Sequence, residues 1–253
     1  MKVSVITAVY NNQSTIRDCL ESVQGQSYED LEHIIVDGGS TDGTVEIIKA
    51  YANNNSRFIS EPDRGIYDAM NKGLKLAKGD IVGILNSDDV YNDSLVIKKI
   101  ENVIKSQCVD SCYGDIVYVD RVCVNKVKRY WRSGNFMREK FRSGWMPPHP
   151  SFFVKRCVYE KYGYFNIDFS LAADYELMLR FLYKFNLSTF YMPELLVRMR
   201  SGGRSRLELL SAGKRFKEIY RSWKVNGLKP GLFLSTLKPL LKLSQYLDKN
   251  CRF

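Results

Sequence analysis

The sequence predicts an α/β fold organised around a doubly wound parallel sheet. Within the first 110 residues, short apolar runs rich in β-branched side chains alternate four times with amphipathic helical patterns. Such alternation with short links is typical of strands and helices that build a parallel sheet. Three of the four runs also end in or near acidic residues. Because the carboxyl ends of parallel strands meet at one edge, we expect these acids to lie together.

The strand–helix pairs follow one another closely along this part of the chain. The predicted strands are 2–10, 33–36, 57–60 and 81–85. The helices that follow them are predicted to begin near Ile16, Val45, Ile66 and Ser94. Gly25 ends the first helix, and Gly79-Asp80 ends the third, as expected for helix stop signals.

Two adjacent carboxylates directly follow the fourth predicted strand. The run Ile81–Leu85 leads through Asn86 and Ser87 into Asp88 and Asp89. Ligands of open α/β sheets bind where strands end, and neighbouring acids need a positive charge beside them. A hard divalent cation that carries a diphosphate would supply that charge. The alternative is that one of the two acids caps the next helix.

Cysteine and histidine usage argues against a zinc site and a disulfide framework. The six cysteines include no Cys-x-x-Cys pair, and there are two histidines, His33 and His149. Scattered thiols fit a reducing cytosol, we expect no signal peptide, and no run approaches the roughly 18 apolar residues of a transmembrane helix. Neither a P-loop nor a Gly-x-Gly-x-x-Gly fingerprint follows the first strand, which argues against the dinucleotide-binding fold.

Three motifs together resemble the family-two inverting glycosyltransferases with the GT-A fold. They are SVITAVYN at 4–11, IVDGGSTDGT at 35–44 and NSDD at 86–89. The resemblance covers about residues 1–200 and implies a Rossmann-like mixed sheet flanked by helices. It predicts a catalytic domain at 1–200, with a nucleotide-sugar-binding half at 1–110 and an acceptor-binding half at 111–200.

The same resemblance implies how a UDP-sugar donor is bound. Residues expected to contact the nucleotide are Thr7, Ala8, Val9, Tyr10, Asp37, Asp63, Arg64, Asn86 and Asp88. Asp37 would accept the imide N–H of uracil, Asp88 would touch the ribose, and Asp89 would bind Mn²⁺ or Mg²⁺. An acid that accepts an imide N–H selects uracil over cytosine, and a cation that bridges a diphosphate needs only one or two carboxylates. Ser87 departs from the family, which usually has an acid there.

The second half of the chain is expected to carry the acceptor side. Alternation over 112–120 and 123–130 predicts a β-hairpin. Pro147, Pro148 and Pro150 fix the backbone around His149, which is either a buried histidine at a turn or a contact to the diphosphate or the metal.

Asp174 lies in the first turn of a helix predicted to open near Ser170. A carboxylate there is favoured by the helix dipole alone. The resemblance implies that Asp174 is instead the general base that an inverting transfer requires. Glu176, two residues further on, is the weaker choice because it lies on nearly the opposite face.

A glycine-rich segment at 199–205 is either a linker or, as the resemblance implies, a flexible loop over the donor. In the second case Arg200 or Arg204 would contact the diphosphate.

The sequence predicts a basic amphipathic helical tail over the last 53 residues, 201–253. Residues 201–253 contain 12 Lys and Arg against 3 Asp and Glu, whereas 1–200 contain 26 against 25. Two helical patterns, at 209–223 and 237–247, place apolar residues on one side and lysines on another. Such a tail predicts docking on an anionic membrane surface. The alternatives are packing on the catalytic domain or on a second subunit.

We therefore expect a cytoplasmic, metal-dependent inverting glycosyltransferase that is peripheral on the inner membrane face. Its acceptor would be a sugar hydroxyl, for example on a polyprenyl diphosphate, as the resemblance implies for bacterial surface-polysaccharide assembly. The rival hypothesis is a non-catalytic scaffold that binds nucleotide sugars. Nucleic acid is not expected as a partner, although basic and aromatic residues mix over 129–145, and the oligomeric state stays open.

Overall fold

The structure, a computed structural model, describes residues 1–51, 53–202 and 208–231, with 208–212 described by their backbone alone. Its strands are β1 (Val3–Val9), β2 (Leu31–Asp37), β3 (Ser56–Ser60), β4 (Ile81–Ile84), β5 (Val90–Tyr91), β6 (Ser111–Val119), β7 (Val127–Trp131), β8 (Phe153–Lys155) and β9 (Thr189–Arg200). Its helices are α1 (Ile16–Gln24), α2 (Thr44–Tyr51), α3 (Ile66–Leu76), α4 (Val96–Ser106), α5 (Arg156–Tyr162), α6 (Ala173–Met178) and α7 (Glu208–Val225).

The first four strands form a parallel sheet in the order β3-β2-β1-β4. Their side chains alternate between two helix-covered faces. On β1, Val3 and Val5 pack in the core that includes α4, whereas Ile6 and Ala8 pack in the core that includes α3. The predicted strand–helix alternation is confirmed, and the carboxyl ends of these strands share one edge.

The second half of the chain converts this sheet into a mixed one. β8 pairs with β4 and with β6 in antiparallel fashion, and β9 runs parallel to β6. Gly83 allows the junction between β4 and β8, because a Cβ there would lie 2.2 Å from Cε1 of Phe153. The predicted α/β mixed sheet flanked by helices is confirmed.

Two details of the second half differ from the prediction. The hairpin partner of β6 begins at Val127 rather than Cys123, because 120–126 form a turn in which Asp120 accepts backbone N–H bonds from Val122 (3.0 Å) and Cys123 (3.4 Å). The strand β9 was not predicted. Pro193 and Glu194 interrupt its apolar alternation, and its register on β6 shifts beside them.

The helix α7 packs on the preceding part of the chain. Ile219 and Trp223 are buried in the same core as Ile6 of β1. Residues 208–231 therefore pack on the preceding part of the chain, which was one of the alternatives for the tail. The second amphipathic pattern, at 237–247, lies outside the described residues. In the described ranges no helix has both the length and the apolar character that a membrane span needs.

Candidate active site at the strand ends

The ends of β1, β2 and β3 meet around Gly38. A Cβ at this position would lie 2.4 Å from Oδ2 of Asp63 and 3.4 Å from Cδ2 of Tyr10. Only a residue without a side chain therefore lets these two groups approach the backbone here. Tyr10 and Asp63, which sequence reasoning placed at the nucleotide, are brought together.

The end of β4 is tied to the end of β1 through Asn12. Its side-chain amide donates to Oγ of Ser87 (2.9 Å), and its backbone N–H donates to Oγ1 of Thr44 (2.9 Å). Ser87, the departure from the family pattern, thus holds the acid loop against its neighbours.

Of the four residues predicted to line the nucleoside on β1, Tyr10 alone has an exposed side chain. Thr7 is fully buried, and its hydroxyl lies 2.9 Å from Nε2 of His33. Ala8 and Val9 are each 4% exposed, whereas Tyr10 is 57% exposed. The cause is that helices cover both faces of β1, whereas Tyr10 directly follows its last residue, Val9, at the edge of the sheet. Of these four side chains only that of Tyr10 is exposed, and contact of the other three residues with a nucleoside stays a prediction.

Asp37 is fully buried and holds the loop after β2. Its carboxylate accepts bonds from the backbone N–H groups of Gly39 and Ser40 (both 3.0 Å), from the Ser60 hydroxyl (2.7 Å) and from the Ser40 hydroxyl. A carboxylate accepts about four such bonds. Uracil recognition by Asp37 stays a prediction, and it requires a serine hydroxyl to turn away.

The loop after β3 starts α3. Asp63 accepts the N–H of Gly65 (2.7 Å), which closes the turn before the helix. The guanidinium of Arg64 is exposed and pairs with Asp68 (3.2 Å) one helical turn later. An exposed pair of this kind is weak, so Arg64 is available to an anionic ligand.

Asp88 and Asp89 are adjacent carboxyl groups whose surroundings disfavour their charged forms. Asp89 is 1% exposed and accepts the side-chain amide of Asn86 (2.9 Å). Burial raises its pKa well above the ordinary value, and the charge of Asp88 raises it further. Burial also raises the pKa of Asp88, against which Arg121 and Arg200 act.

Arg200 compensates part of this negative charge from beneath the loop. Its guanidinium donates to the carbonyls of Asp88 and Arg121 (both 3.0 Å) and pairs with Asp18 of α1, and its backbone N–H donates to Asp89 (3.1 Å). The side chain is 2% exposed. The geometry therefore does not show the contact between Arg200 and a diphosphate that was one of the expected alternatives. Arg204 lies outside the described residues.

The donor set at this loop fits a hard divalent cation. Two adjacent, incompletely neutralised carboxylates are oxygen ligands of the kind that Mg²⁺ and Mn²⁺ take. No group of three or more His, Cys, Asp and Glu that could hold an ion occurs among the described residues. A cation here would thus need oxygens of the donor diphosphate as further ligands.

Asp174 lies in the first turn of α6, where this helix meets α3. Its carboxylate accepts the N–H of Tyr175 (2.8 Å) and the hydroxyl of Tyr67 (3.4 Å). Burial, and after it the charge of Asp174, raises the pKa of Tyr67 well above its usual range, so this phenol is a donor at neutral pH. Sequence reasoning missed Tyr67, which the short spacing from Asp63 places at the site.

His149 lies on the Asp174 side of the site. Its ring contacts Phe165 edge to face at 5.7 Å, and Phe165 stacks on Tyr67 at 5.6 Å. Burial lowers the pKa of the imidazole, and the charge of Asp174 opposes that shift. A role of His149 as a metal ligand stays a prediction.

Glu176, the weaker candidate for the base, is engaged elsewhere. It is buried and pairs with Arg180 at 3.0 and 3.1 Å, and Asn226 of α7 donates to it at 2.9 Å. This carboxylate is held inside the protein on the face opposite Asp174.

Comparison with known proteins agrees with this geometry. Residues 4–163 match the family described as Glycosyl transferase family 2. The chain belongs to this family. As a family-two glycosyltransferase it is an enzyme. The rival hypothesis of a non-catalytic scaffold is therefore dropped.

Curated relatives of this glycosyltransferase occur in mycobacteria. An uncharacterised glycosyltransferase of Mycobacterium tuberculosis is 33% identical over 181 residues, which cover 70% of this chain and 68% of that protein. A PGL/p-HBAD biosynthesis glycosyltransferase of Mycobacterium bovis is 29% identical over 199 residues, covering 77% and 72% of the two chains.

Solved structures share the fold of this glycosyltransferase. Staphylococcus aureus TarS 1-349 in complex with UDP-GlcNAc has a TM-score of 0.71 at 19% identity, over 98% of this chain and 72% of that one. A longer TarS chain is covered over 40% of its length. A mannosyltransferase of Pyrobaculum calidifontis in complex with GDP-Man and Mn²⁺ has a TM-score of 0.63 at 19% identity, over 97% and 69%.

Burial of His33 beneath Thr7 predicts an acid-sensitive fold. His33 is 3% exposed, and burial lowers the pKa of its imidazole to about 3. The unfolded chain, with an ordinary histidine pKa of about 6.5, binds the proton first as the pH falls. This residue's contribution to stability is therefore complete above pH 7 and lost progressively between about pH 6.5 and 3.

We expect His33→Gln to remove about 2 kcal/mol of the decrease in unfolding free energy between pH 7 and pH 5. Urea unfolding of the wild type and the variant at both pH values measures this difference. Equal decreases in the two proteins would show that His33 binds protons alike in the folded and unfolded states.

Proposed function

We propose that this glycosyltransferase moves a sugar from a UDP-linked donor to an acceptor hydroxyl with inversion, using Asp174 as the base. The observation that carries the proposal is the position of Asp174, which is partly exposed in the first turn of α6 and bonded to Tyr67 of α3. Since α3 begins directly after Asp63, this one helix connects the donor side to the base.

The donor would lie along the strand ends. Tyr10 offers an exposed aromatic face for the nucleoside, and Asp88 lies at the neighbouring strand end for the ribose. The carboxylate of Asp89 would hold Mn²⁺ or Mg²⁺, a cation that, when bound, stabilises negative charge on the leaving nucleoside diphosphate. The TarS complex with UDP-GlcNAc supports a UDP-sugar, and the archaeal complex with GDP-Man and Mn²⁺ supports the metal.

The transfer itself would be one displacement. Asp174 removes the proton of the acceptor hydroxyl as its oxygen forms a bond to the anomeric carbon, and the bond from that carbon to the diphosphate oxygen breaks. The Tyr67 hydroxyl donates to Asp174 and so orients the carboxylate. Attack from the face opposite the diphosphate turns an α-linked donor into a β-linked product.

The acceptor would be a sugar hydroxyl on a lipid-linked intermediate of surface-polysaccharide or glycolipid assembly. The relative named for PGL/p-HBAD biosynthesis supports an acceptor of this kind. The outer face of α7 supports a membrane location, because it exposes Phe216 (38%), Tyr220 (41%) and Val225 (49%). The exposed basic residues of this outer face are Lys214, Lys217, Arg221 and Lys224.

Asparagine substitutions separate the two functional acids. We expect Asp174→Asn to lower kcat by about 10²- to 10⁴-fold, the usual contribution of a general base, while UDP affinity stays unchanged. Asp89→Asn should instead abolish the stimulation of transfer by Mn²⁺ and weaken UDP binding in its presence. Transfer assays and calorimetry with UDP, each with and without Mn²⁺, measure both effects.

Asp168→Asn is the matched control, since this carboxylate is 69% exposed and makes a single 3.8 Å ion pair. It should retain wild-type rates. The assignment of roles is contradicted if Asp174→Asn loses UDP affinity and Asp89→Asn keeps it. Thermal-shift measurements against several nucleotide sugars with Mn²⁺ would identify the donor by its stabilisation of the folded state.

Charge reversal tests the membrane surface. Lys217→Glu with Lys224→Glu should weaken binding to phosphatidylglycerol vesicles by at least about 2 kcal/mol, since each basic residue near an anionic surface contributes about 1 kcal/mol. Binding to phosphatidylcholine vesicles should be weak for all proteins. Co-sedimentation gives these affinities.

Lys98→Glu with Lys105→Glu, an exposed pair with the same spacing on α4, is the control and should bind nearly as well as the wild type. Equal losses for both pairs would show that overall charge, not this face, governs binding.

A further inference from the structure

One carboxylate of α7 is buried beside the helix that carries Asp174. Glu218 is 7% exposed, and its two oxygens accept four hydrogen bonds from three consecutive residues. The donors are the N–H groups of Ser170 (3.1 Å), Leu171 (2.8 Å) and Ala172 (2.9 Å) and the hydroxyl of Ser170 (2.9 Å). Glu218 therefore fixes the backbone that leads directly into α6.

The remaining contacts between α7 and α6 hold the rest of the short helix. Trp223 donates its indole N–H to the Tyr175 hydroxyl (3.1 Å), and that hydroxyl donates to the carbonyl of Phe141 (2.9 Å). Asn226 donates to Glu176 (2.9 Å). These contacts reach Tyr175 and Glu176, which are one and two residues after Asp174.

The burial of Glu218 has no other explanation in the contacts around it. A buried carboxylate is costly unless its hydrogen bonds are satisfied. All four donors to the Glu218 carboxylate lie outside α7. All of them come from 170–172, between two and four residues before Asp174 in the chain. The family match ends at residue 163. Both Glu218 and the segment 170–172 therefore lie beyond the matched region.

We propose that Glu218 is a positioning residue for the transfer reaction, acting through the backbone of 170–172 to set where the Asp174 carboxylate lies. The inference rests on the proposed role of Asp174 as the base. A base displaced by about 1 Å from its productive position loses on the order of 100-fold in rate. Donor binding at the strand ends does not involve this segment.

Glu218→Gln tests this inference with nearly constant side-chain shape. The carboxamide keeps one acceptor oxygen and turns an N–H₂ group toward backbone donors, so 170–172 must move. We expect kcat to fall about 10- to 100-fold, with the KM for the donor and the affinity for UDP within about twofold of the wild type. Ser170→Ala, which removes one bond at an exposed residue, should give a smaller decrease of the same kind.

Glu21→Gln, the same substitution at an exposed position of α1, is the matched control and should leave kcat unchanged. Hydrogen–deuterium exchange gives a second measurement that needs no activity. Peptides covering 170–178 should exchange faster in Glu218→Gln, while peptides covering β1 and β2 should be unchanged. If Glu218→Gln does not fold, Ser170→Ala alone decides the question by the same two measurements.

Three results overturn the inference. They are an unchanged kcat in Glu218→Gln, a loss of donor affinity in parallel with kcat, and unchanged exchange over 170–178. A wild-type protein without transfer activity would contradict the proposed function instead, and the exchange measurement would still report on the segment that Glu218 holds.

Discussion

Two acids side by side at the end of β4 are the constraint on which the rest of the site depends. Asp88 and Asp89 can both stay charged in a partly buried loop only if positive groups lie close to them. Arg200 supplies one such group from below, at the last residue of β9, and joins the loop to α1 through Asp18. Because Arg200 donates to the carbonyl of Asp88 and to the carboxylate of Asp89, it compensates part of the negative charge of the pair.

The surroundings of Asp174 are organised in a comparable way. Asp174 stands at the start of α6, whose six residues continue as a π-helical stretch over Leu179–Lys184, and a helical segment of this length has little stability of its own. Contacts from α3 and α7 fix it on two sides, through Tyr67 and through Glu218. Each functional acid is thus held by residues far away in the sequence, so the enzyme depends on the packing of its whole chain.

The sequence predicted the first four strands and the acids at their ends well, and the reason is local. Strand ends, glycines and acids lie within a few residues of one another there, and the parallel arrangement alone brings them to one edge. It also pointed to Asp174 through a resemblance. It did not reveal that the side chains of Thr7, Ala8 and Val9 are buried, because alternation along a strand does not show that helices cover both faces.

Long-range partners could not be predicted from the sequence. Arg200 looked like a loop residue for the donor, since nothing local indicates that its guanidinium turns inward to Asp18. Glu218 looked like one charge on an amphipathic helix, and Tyr67 like one apolar position of α3. Asn71 gave no signal either, although its side chain bonds both the N–H and the carbonyl of Phe165 (2.9 and 2.8 Å).

The central claim is that the acid loop and Asp174 face one shared cleft across the strand ends. Anomalous diffraction from crystals grown with UDP and Mn²⁺ tests it most directly. The account predicts a manganese peak about 2.2 Å from a carboxylate oxygen of Asp89, with the diphosphate directed toward Asp174. Manganese and nucleotide bound together away from Asp89, or with Asp174 on a different surface, would contradict it.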